Sequence, residues 1–269
     1  MRLPRRRALS VVMMSELPYA AGLGSAGPSA GGGAGWVVFG AGGHARSVVD
    51  VLERLGEQVV AVVGDAGARR WHVDVLADEG AAIERVVAEG LRAVVAIGAS
   101  EARMAVLGRL LTAAQLAQTS SSAQNLRAET AHSSGVAPAL VAATATVAPG
   151  VELAHGTVVL EHAHVGPGSR VGRGVILNTG AIVEHDCVVG EGSHIAPGAV
   201  LLGAARVGDG AFVGSGARVL PGVWLGRHVT IGAGAVVTRN FREGRTVVGV
   251  PARAVGRNQA GSLFDEGSW

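Results

Sequence analysis

ATVAPG VELAHG TVVLEH AHVGPG SRVGRG VILNTG AIVEHD CVVGEG SHIAPG AVLLGA ARVGDG AFVGSG ARVLPG VWLGRH VTIGAG AVVTRN: from Ala145 to Asn240 the chain divides without a gap into sixteen six-residue units. The third position of every unit is Val, Leu or Ile, from Val147 and Leu153 through Ile231 and Val237, and Gly closes eleven of the sixteen. A period of six with one aliphatic slot fits neither a 3.6-residue helix nor the alternation of a half-buried strand. It predicts a triangular parallel β-helix, in which each hexad supplies a short strand and a corner and three hexads close a turn. The aliphatic side chain points inward and stacks on its equivalents one turn away, while the corners favour residues that tolerate positive φ. Sixteen hexads make a little over five turns, roughly 25 Å of prism at ~4.8 Å per turn. Val141 already stands in phase with the aliphatic slots.

The composition limits what such a prism can do. The 269 residues hold one large domain or two modest ones, and 42 Gly with few aromatics imply a core of stacked small aliphatics. All 23 basic residues are Arg, which excludes a Schiff base through lysine. A net charge of +2 gives no case for nucleic-acid binding. The single cysteine, Cys187, excludes an intrachain disulfide and allows a reducing cytoplasm. No apolar run approaches the ~20 residues of a membrane span.

Residues 1–35 read as a separate piece. A basic start (Met1 to Arg7), a short apolar run (Ala8 to Met14) and a Gly/Ala/Ser/Pro stretch (Ala21 to Gly35) are expected to be a disordered tail or an overextended start; the apolar run is minimal for a signal peptide, and Glu16 and Pro18 follow it at once. Residues 36–114 read as an α/β unit of β-α-β-α-β character. WVVFG ends in Gly, AGGHARSVVDVLERLG has helical periodicity and a Gly stop, QVVAVVGD and LRAVVAIG are buried strands with a variable segment between them, and EARMAVLGRLLTAA is a helix. Strands alternating with helices predict a parallel sheet with ligands at its carboxyl edge. Gly40-Ala41-Gly42-Gly43-His44-Ala45 matches G-x-G-x-x-A at the first strand-to-helix turn, with Asp65 closing the second strand. Half a Rossmann sheet suits a mononucleotide or nucleotide-sugar better than NAD. Residues 115–138 are expected to be a linker, 139–240 the prism, and 241–269 a C-terminal segment.

Within the prism, His185 stands out, at position five of AIVEHD with Glu184 and Asp186 beside it. An outward imidazole near a corner with an adjacent carboxylate has the makings of a general base. His194, in SHIAPG, lies half a turn further round, so the two histidines can meet only across an interface between subunits. Asn178, in VILNTG, either supplies a corner amide or lines that cleft. The other prism histidines, His155, His162, His164 and His228, have no spacing with these that gathers three ligands, so no metal is expected.

GAGGHA after the first strand, VAIG at the third, ILNTGAIVEHDCVVGEGSHIAPGA and the closing VVGVPAR together resemble the NeuD/PglD-like sugar acetyltransferases, the sialic acid O-acetyltransferase and UDP-amino-sugar N-acetyltransferase group. The resemblance runs from Trp36 to about Val255. It implies an α/β unit followed by a left-handed β-helix, and acetyl-CoA as co-substrate. It further implies a homotrimer with sites between subunits and a cytoplasmic enzyme acting on the amino or hydroxyl group of a sugar. Carried over, His185 is the base and Asp186 its orienting acid; His194 contacts acetyl-CoA near the thioester. Gly203, Ser215 and Ala233, expected on successive turns of one side, let the pantetheine arm lie along the prism. Gly42, Gly43 and His44, with Asp65, Gly98 and Asn178, hold the acceptor. Cys187, with no base beside it, is expected to pack rather than react. The chain departs from the family pattern after the second strand, where Gly64-Asp65-Ala66 has one acid in place of a pair, and after the third, where Ala99-Ser100 replaces Asn. Both changes fall in the acceptor pocket. The alternatives left open are an acyl acceptor without a nucleotide (sialic acid, an aminocyclitol or an amino acid) and a non-catalytic nucleotide-sugar-binding scaffold.

Overall fold

The computed structural model describes residues 35–122 and 135–257. Most of the expected N-terminal tail, part of the expected linker and the end of the C-terminal segment lie outside the described residues.

The apolar run Trp36–Phe39 forms β1, buried along its whole length. It sits inside a four-stranded parallel sheet with order β3-β2-β1-β4, whose other members are β2 (Val59–Val63), β3 (Asp74–Leu76) and β4 (Arg92–Val95). Helix α1 (Gly43–Arg54) buries Ala45, Val48, Val49, Val51 and Leu52, the stripe its periodicity predicts. The variable segment of the sequence contains both β3 and α2 (Glu79–Ala88). β3 escapes a reading by pattern because it is a three-residue strand at the sheet edge with largely exposed side chains. α2 starts at Asp78, whose side chain accepts the Ala81 N–H at 3.0 Å, an ordinary N-cap. Helix α3 (Ser100–Ser122) continues into the stretch expected to be linker. Gln115, Leu116, Ala117 and Gln118 are exposed there, and their intrinsic preference sustains the helix without burial.

From Leu140 onward two-residue strands recur every six residues and pair in parallel with the strand eighteen positions away, as Ile176 does with Val158 and His194. Three parallel faces result. The first runs from Leu140–Val141 through Ile176–Leu177 and His194–Ile195 to Thr230–Ile231. The second includes Ile182–Val183 and Val200–Leu201, and the third includes Arg170–Val171, Val188–Val189 and Trp224–Leu225. From Val159 to Val237 every aliphatic slot is buried. A second inward slot, the first residue of each hexad, is filled by Ala163, Ala181, Ala199, Ala217 and Ala235, all fully or almost fully buried. Cys187 occupies the same slot on another corner and is inaccessible, with burial pushing its thiol pKa up. Beyond the hexads, Arg245–Val248 pairs in parallel with Thr230–Ile231, and Arg253–Arg257 returns antiparallel against it, so this part of the C-terminal segment extends the first face.

The α/β unit lies against the first face and one of its edges. Trp36, Val38 and Leu52 share a core with Leu140, Val158 and Leu160. Helix α3 follows a column of corner glycines. A Cβ on Gly156 would stand 2.8 Å from Leu107, on Gly174 2.6 Å from Met104 Sδ, and on Gly192 2.7 Å from Ser100 Oγ. These three glycines are eighteen residues apart, one prism turn of ~4.8 Å. Leu107, Met104 and Ser100 are about one helical turn apart, ~5.4 Å. The near match of the two repeats lets one helix seat on three successive turns.

Candidate active site

His185 and Asp186 occupy the corner after Ile182–Val183, where the chain passes from the second face to the third. Asp186 stands in the sixth hexad position, the glycine slot, and has φ 59°. In that conformation its Oδ2 is 2.8 Å from His185 Nδ1. The ring N–H therefore donates to the carboxylate, leaving the Nε2 lone pair free. Both side chains are well exposed, 59% and 67%, so a substrate can reach the ring from solvent. One turn on, a Cβ at Gly203 would lie 2.5 Å from His185 Nε2. Glycine at 203 is what leaves room for the imidazole. The structure thus joins His185, Asp186 and Gly203 at one corner.

Gly203, Ser215 and Ala233 are not stacked on one edge, contrary to the sequence expectation. Ser215 and Ala233 are eighteen residues apart and share a column, with the Gly234 N–H donating to Ser215 O at 2.9 Å. Gly203 precedes Ser215 by two hexads, two thirds of a turn, and so stands on a different edge. The Gly222 N–H donates to Gly203 O at 3.0 Å in that other column.

A second cluster lies in the seam between the α/β unit and the prism. His194 is on the first face, between Ile176 and Phe212. Asn178 Oδ1 accepts the Thr179 N–H at 2.8 Å, which turns its amide nitrogen toward His194 Nε2 at 3.1 Å. His194 Nε2 is then the acceptor, and Nδ1 carries the proton. That Nδ1 is buried without a partner, as is His44 Nε2 on the facing helix α1. The His44 and His194 rings are 6.3 Å apart, and Phe212 meets His194 edge-on at 5.3 Å. Burial, reinforced by the Arg103 charge, lowers the His44 pKa to about 4. For His194 burial again dominates, followed by Arg103 and His44, and the pKa falls to about 3. Both rings are neutral at ordinary pH. The seam offers two polar ring atoms with unmet capacity, lined on one side by an aromatic edge. A small polar atom such as a carbonyl oxygen matches that chemistry.

The remaining predicted residues gather at the carboxyl edge of the sheet. Gly40, with φ 127°, is needed for packing, since a Cβ there would meet Ala96 O at 2.6 Å. Gly42, Gly43 and Gly98 face open space instead, with no atom within 4 Å of where a Cβ would stand. Gly42 caps α1 without any side-chain hydrogen bond, so the first-turn amides are available to an anionic or polar ligand. Asp65 is exposed, and its Oδ1 accepts the Gly67 N–H at 2.7 Å, stabilising its own turn.

Sequence reasoning missed two residues. Phe212 packs on His194 from the next turn. Arg103 is wholly buried in α3 and reaches both layers; its signal was a cation standing on the apolar stripe of Val106, Leu107 and Leu110. Among the described residues, no three His, Cys, Asp or Glu side chains are gathered so as to hold a metal ion.

The family model of the PglD N-terminal domain matches residues 36–110, and that of the bacterial transferase hexapeptide (six repeats) matches 168–203 and 204–239. Among solved structures, the acetyltransferase domain of PglB from Neisseria gonorrhoeae, in complex with acetyl coenzyme A, is 30% identical. The match covers 83% of this chain and 100% of that one, with a TM-score of 0.70. PerB from Caulobacter crescentus, in complex with CoA and GDP-perosamine, is 33% identical over 82% of this chain and 97% of its own, with a TM-score of 0.66. A mutant of perosamine N-acetyltransferase from Caulobacter crescentus, also with CoA and GDP-perosamine, is 33% identical over the same shares with a TM-score of 0.67. No curated protein matched the sequence.

Proposed function

The chain belongs to the PglD/NeuD-like family of hexapeptide-repeat sugar acetyltransferases, and on that premise we propose a nucleotide-linked amino sugar as its acceptor and His185 as its base. It is an acetyltransferase that uses acetyl-CoA, built as an α/β unit followed by a left-handed β-helix.

The observation that carries the mechanism is the exposed His185–Asp186 pair, with Nδ1 held by the carboxylate and the ring seated over Gly203, where no side chain stands. His185 Nε2 accepts the proton of the acceptor amine or hydroxyl as that atom attacks the thioester carbonyl carbon. The carbon–sulfur bond breaks, CoA leaves as the thiol after taking up a proton, and the acetyl group ends on the acceptor. Asp186 keeps the imidazole in the tautomer that can do this. His194, whose Nδ1–H is a buried donor without a partner, suits the thioester carbonyl oxygen, with Asn178 fixing the ring. Ser215 and Ala233, on one edge, offer backbone to the pantetheine arm. The open turn at Gly42 and Gly43, with His44, Asp65 and Gly98 around it, takes the nucleotide end of the acceptor.

His185 is exposed at one corner, whereas His44, Asn178 and His194 line the seam of the first face. A trimer whose clefts bring His185 of one subunit toward the seam of the next reconciles the two clusters. A cytoplasmic location, where acetyl-CoA is at hand, goes with this reading.

Thiol release from acetyl-CoA against UDP-, dTDP- and GDP-linked amino sugars, GDP-perosamine among them, together with free sialic acid, tests the proposal. Release with a nucleotide-linked amino sugar supports it. Release only with acceptors lacking a nucleotide would overturn the acceptor class while leaving the acetyl chemistry in place.

A further inference from the structure

We propose that Arg103 is a positioning residue for acyl transfer, fixing the acceptor-side turn after β4 against the prism corners beside the transfer histidines. The inference rests on the acetyltransferase reading above. The Arg103 side chain has no accessible surface, and among the described residues no carboxylate is bonded to it. Its guanidinium donates to four backbone carbonyls, which fall into two pairs. Nη1 donates to Ile97 O and Gly98 O, both at 2.7 Å, just past the carboxyl end of β4. Nε donates to Gly174 O at 2.7 Å and Nη2 to Gly192 O at 2.5 Å, on successive corners of the prism.

The planar guanidinium fork bridges two layers that also share an apolar core and the Arg54–Glu161 ion pair at 3.8 Å. Gly98 borders the open turn offered to the acceptor. Gly174 and Gly192 are the corners leading into Ile176 and His194, the strands that carry Asn178 and His194 toward the seam. A buried arginine without a counter-charge is an expensive way to join two layers by packing alone. Its four directed bonds instead set where the acceptor turn stands relative to His194. Displacements of about 1 Å in such a relation can cost on the order of 100-fold in rate.

The test compares the full-length wild type with R103K, R103M and G192A. R103K keeps a charge but replaces the fork with a single ammonium. G192A keeps Arg103 and wedges α3 outward, since the new Cβ would lie 2.7 Å from Ser100 Oγ and 2.8 Å from Met104 Cγ. It also serves if R103M fails to fold. At a temperature where each variant is folded, acceptor kcat/KM is expected to fall roughly 10-fold in R103K and G192A and roughly 100-fold in R103M. The acetyl-CoA dissociation constant is expected to stay within about twofold, because the coenzyme lies along the prism, and R103K is expected to recover part of the R103M loss. Amide hydrogen exchange of the peptide Ile97–Ser100 should quicken in all three. Lowered melting temperatures with wild-type acceptor kinetics would reduce Arg103 to a structural bond and overturn the proposal. Should the wild type acetylate no acceptor, the acetyltransferase reading falls, and unchanged exchange at Ile97–Ser100 would separately overturn the role of Arg103.

Discussion

At the corner that carries His185, two residues act through their backbone conformation or their lack of a side chain. Asp186 takes a position where hexads normally place glycine, at φ 59°. Left-handed backbone costs an L-residue about 1 kcal/mol or more, a cost the same slot also bears at His162, Ala204 and His228. D186G should therefore raise the melting temperature by a few degrees while lowering kcat roughly tenfold or more. A variant that gains stability and keeps full activity would detach Asp186 from the reaction. Gly203 makes the complementary case. G203A introduces a Cβ 2.5 Å from His185 Nε2 and must push the imidazole aside. We expect kcat to fall by about 100-fold, with the KM for acetyl-CoA nearly unchanged; a raised KM with kcat intact would return Gly203 to the pantetheine path. The corner pair was legible because EHD breaks a run of glycine and small residues. The role of Gly203 was not, since a single sequence does not reveal that a glycine faces a ring one turn below.

Among elements, the seam between α1 and the first prism face has a titration of its own. In the unfolded chain His44 and His194 take up protons near pH 6.5, but in the folded protein only near about 4 and about 3. Between these values the unfolded state holds more protons, so stability falls as pH drops below about 6.5 and keeps falling toward about 3. Melting temperatures measured from pH 7.5 to 5 should decline, and H44Q should flatten the decline by removing one of the two buried imidazoles. An equal slope in H44Q would mean that other groups set the acid sensitivity. The hexads made the prism legible, because one aliphatic slot in six is unmistakable over so many units. β3 was not, since a short exposed edge strand has no apolar run to read. The full length of α3 was missed for a related reason: Gln115 to Thr119 are exposed, and composition alone suggested a linker.

Across the full chain, the placement of the two clusters has one consequence. His185 is offered outward at a corner, while the polar atoms of His44 and His194 are turned into the seam of the same chain. Sequence spacing alone anticipated that His185 and His194 stand on different parts of the prism. It did not anticipate that His194 is held by Asn178, faces His44 and lies beside Phe212, since those contacts depend on how the α/β unit seats on the prism. The chain of 27.0 kDa is expected to run as a trimer in sedimentation, and the H185A variant should do so too, because an exposed corner side chain contributes little to the core. The most direct measurement is thiol release from acetyl-CoA by the wild type and H185A side by side, with the acceptor that the wild type uses best. We predict that H185A turns over more slowly by roughly 10²- to 10⁴-fold with its trimer intact. Full activity in H185A would contradict the assignment of the base.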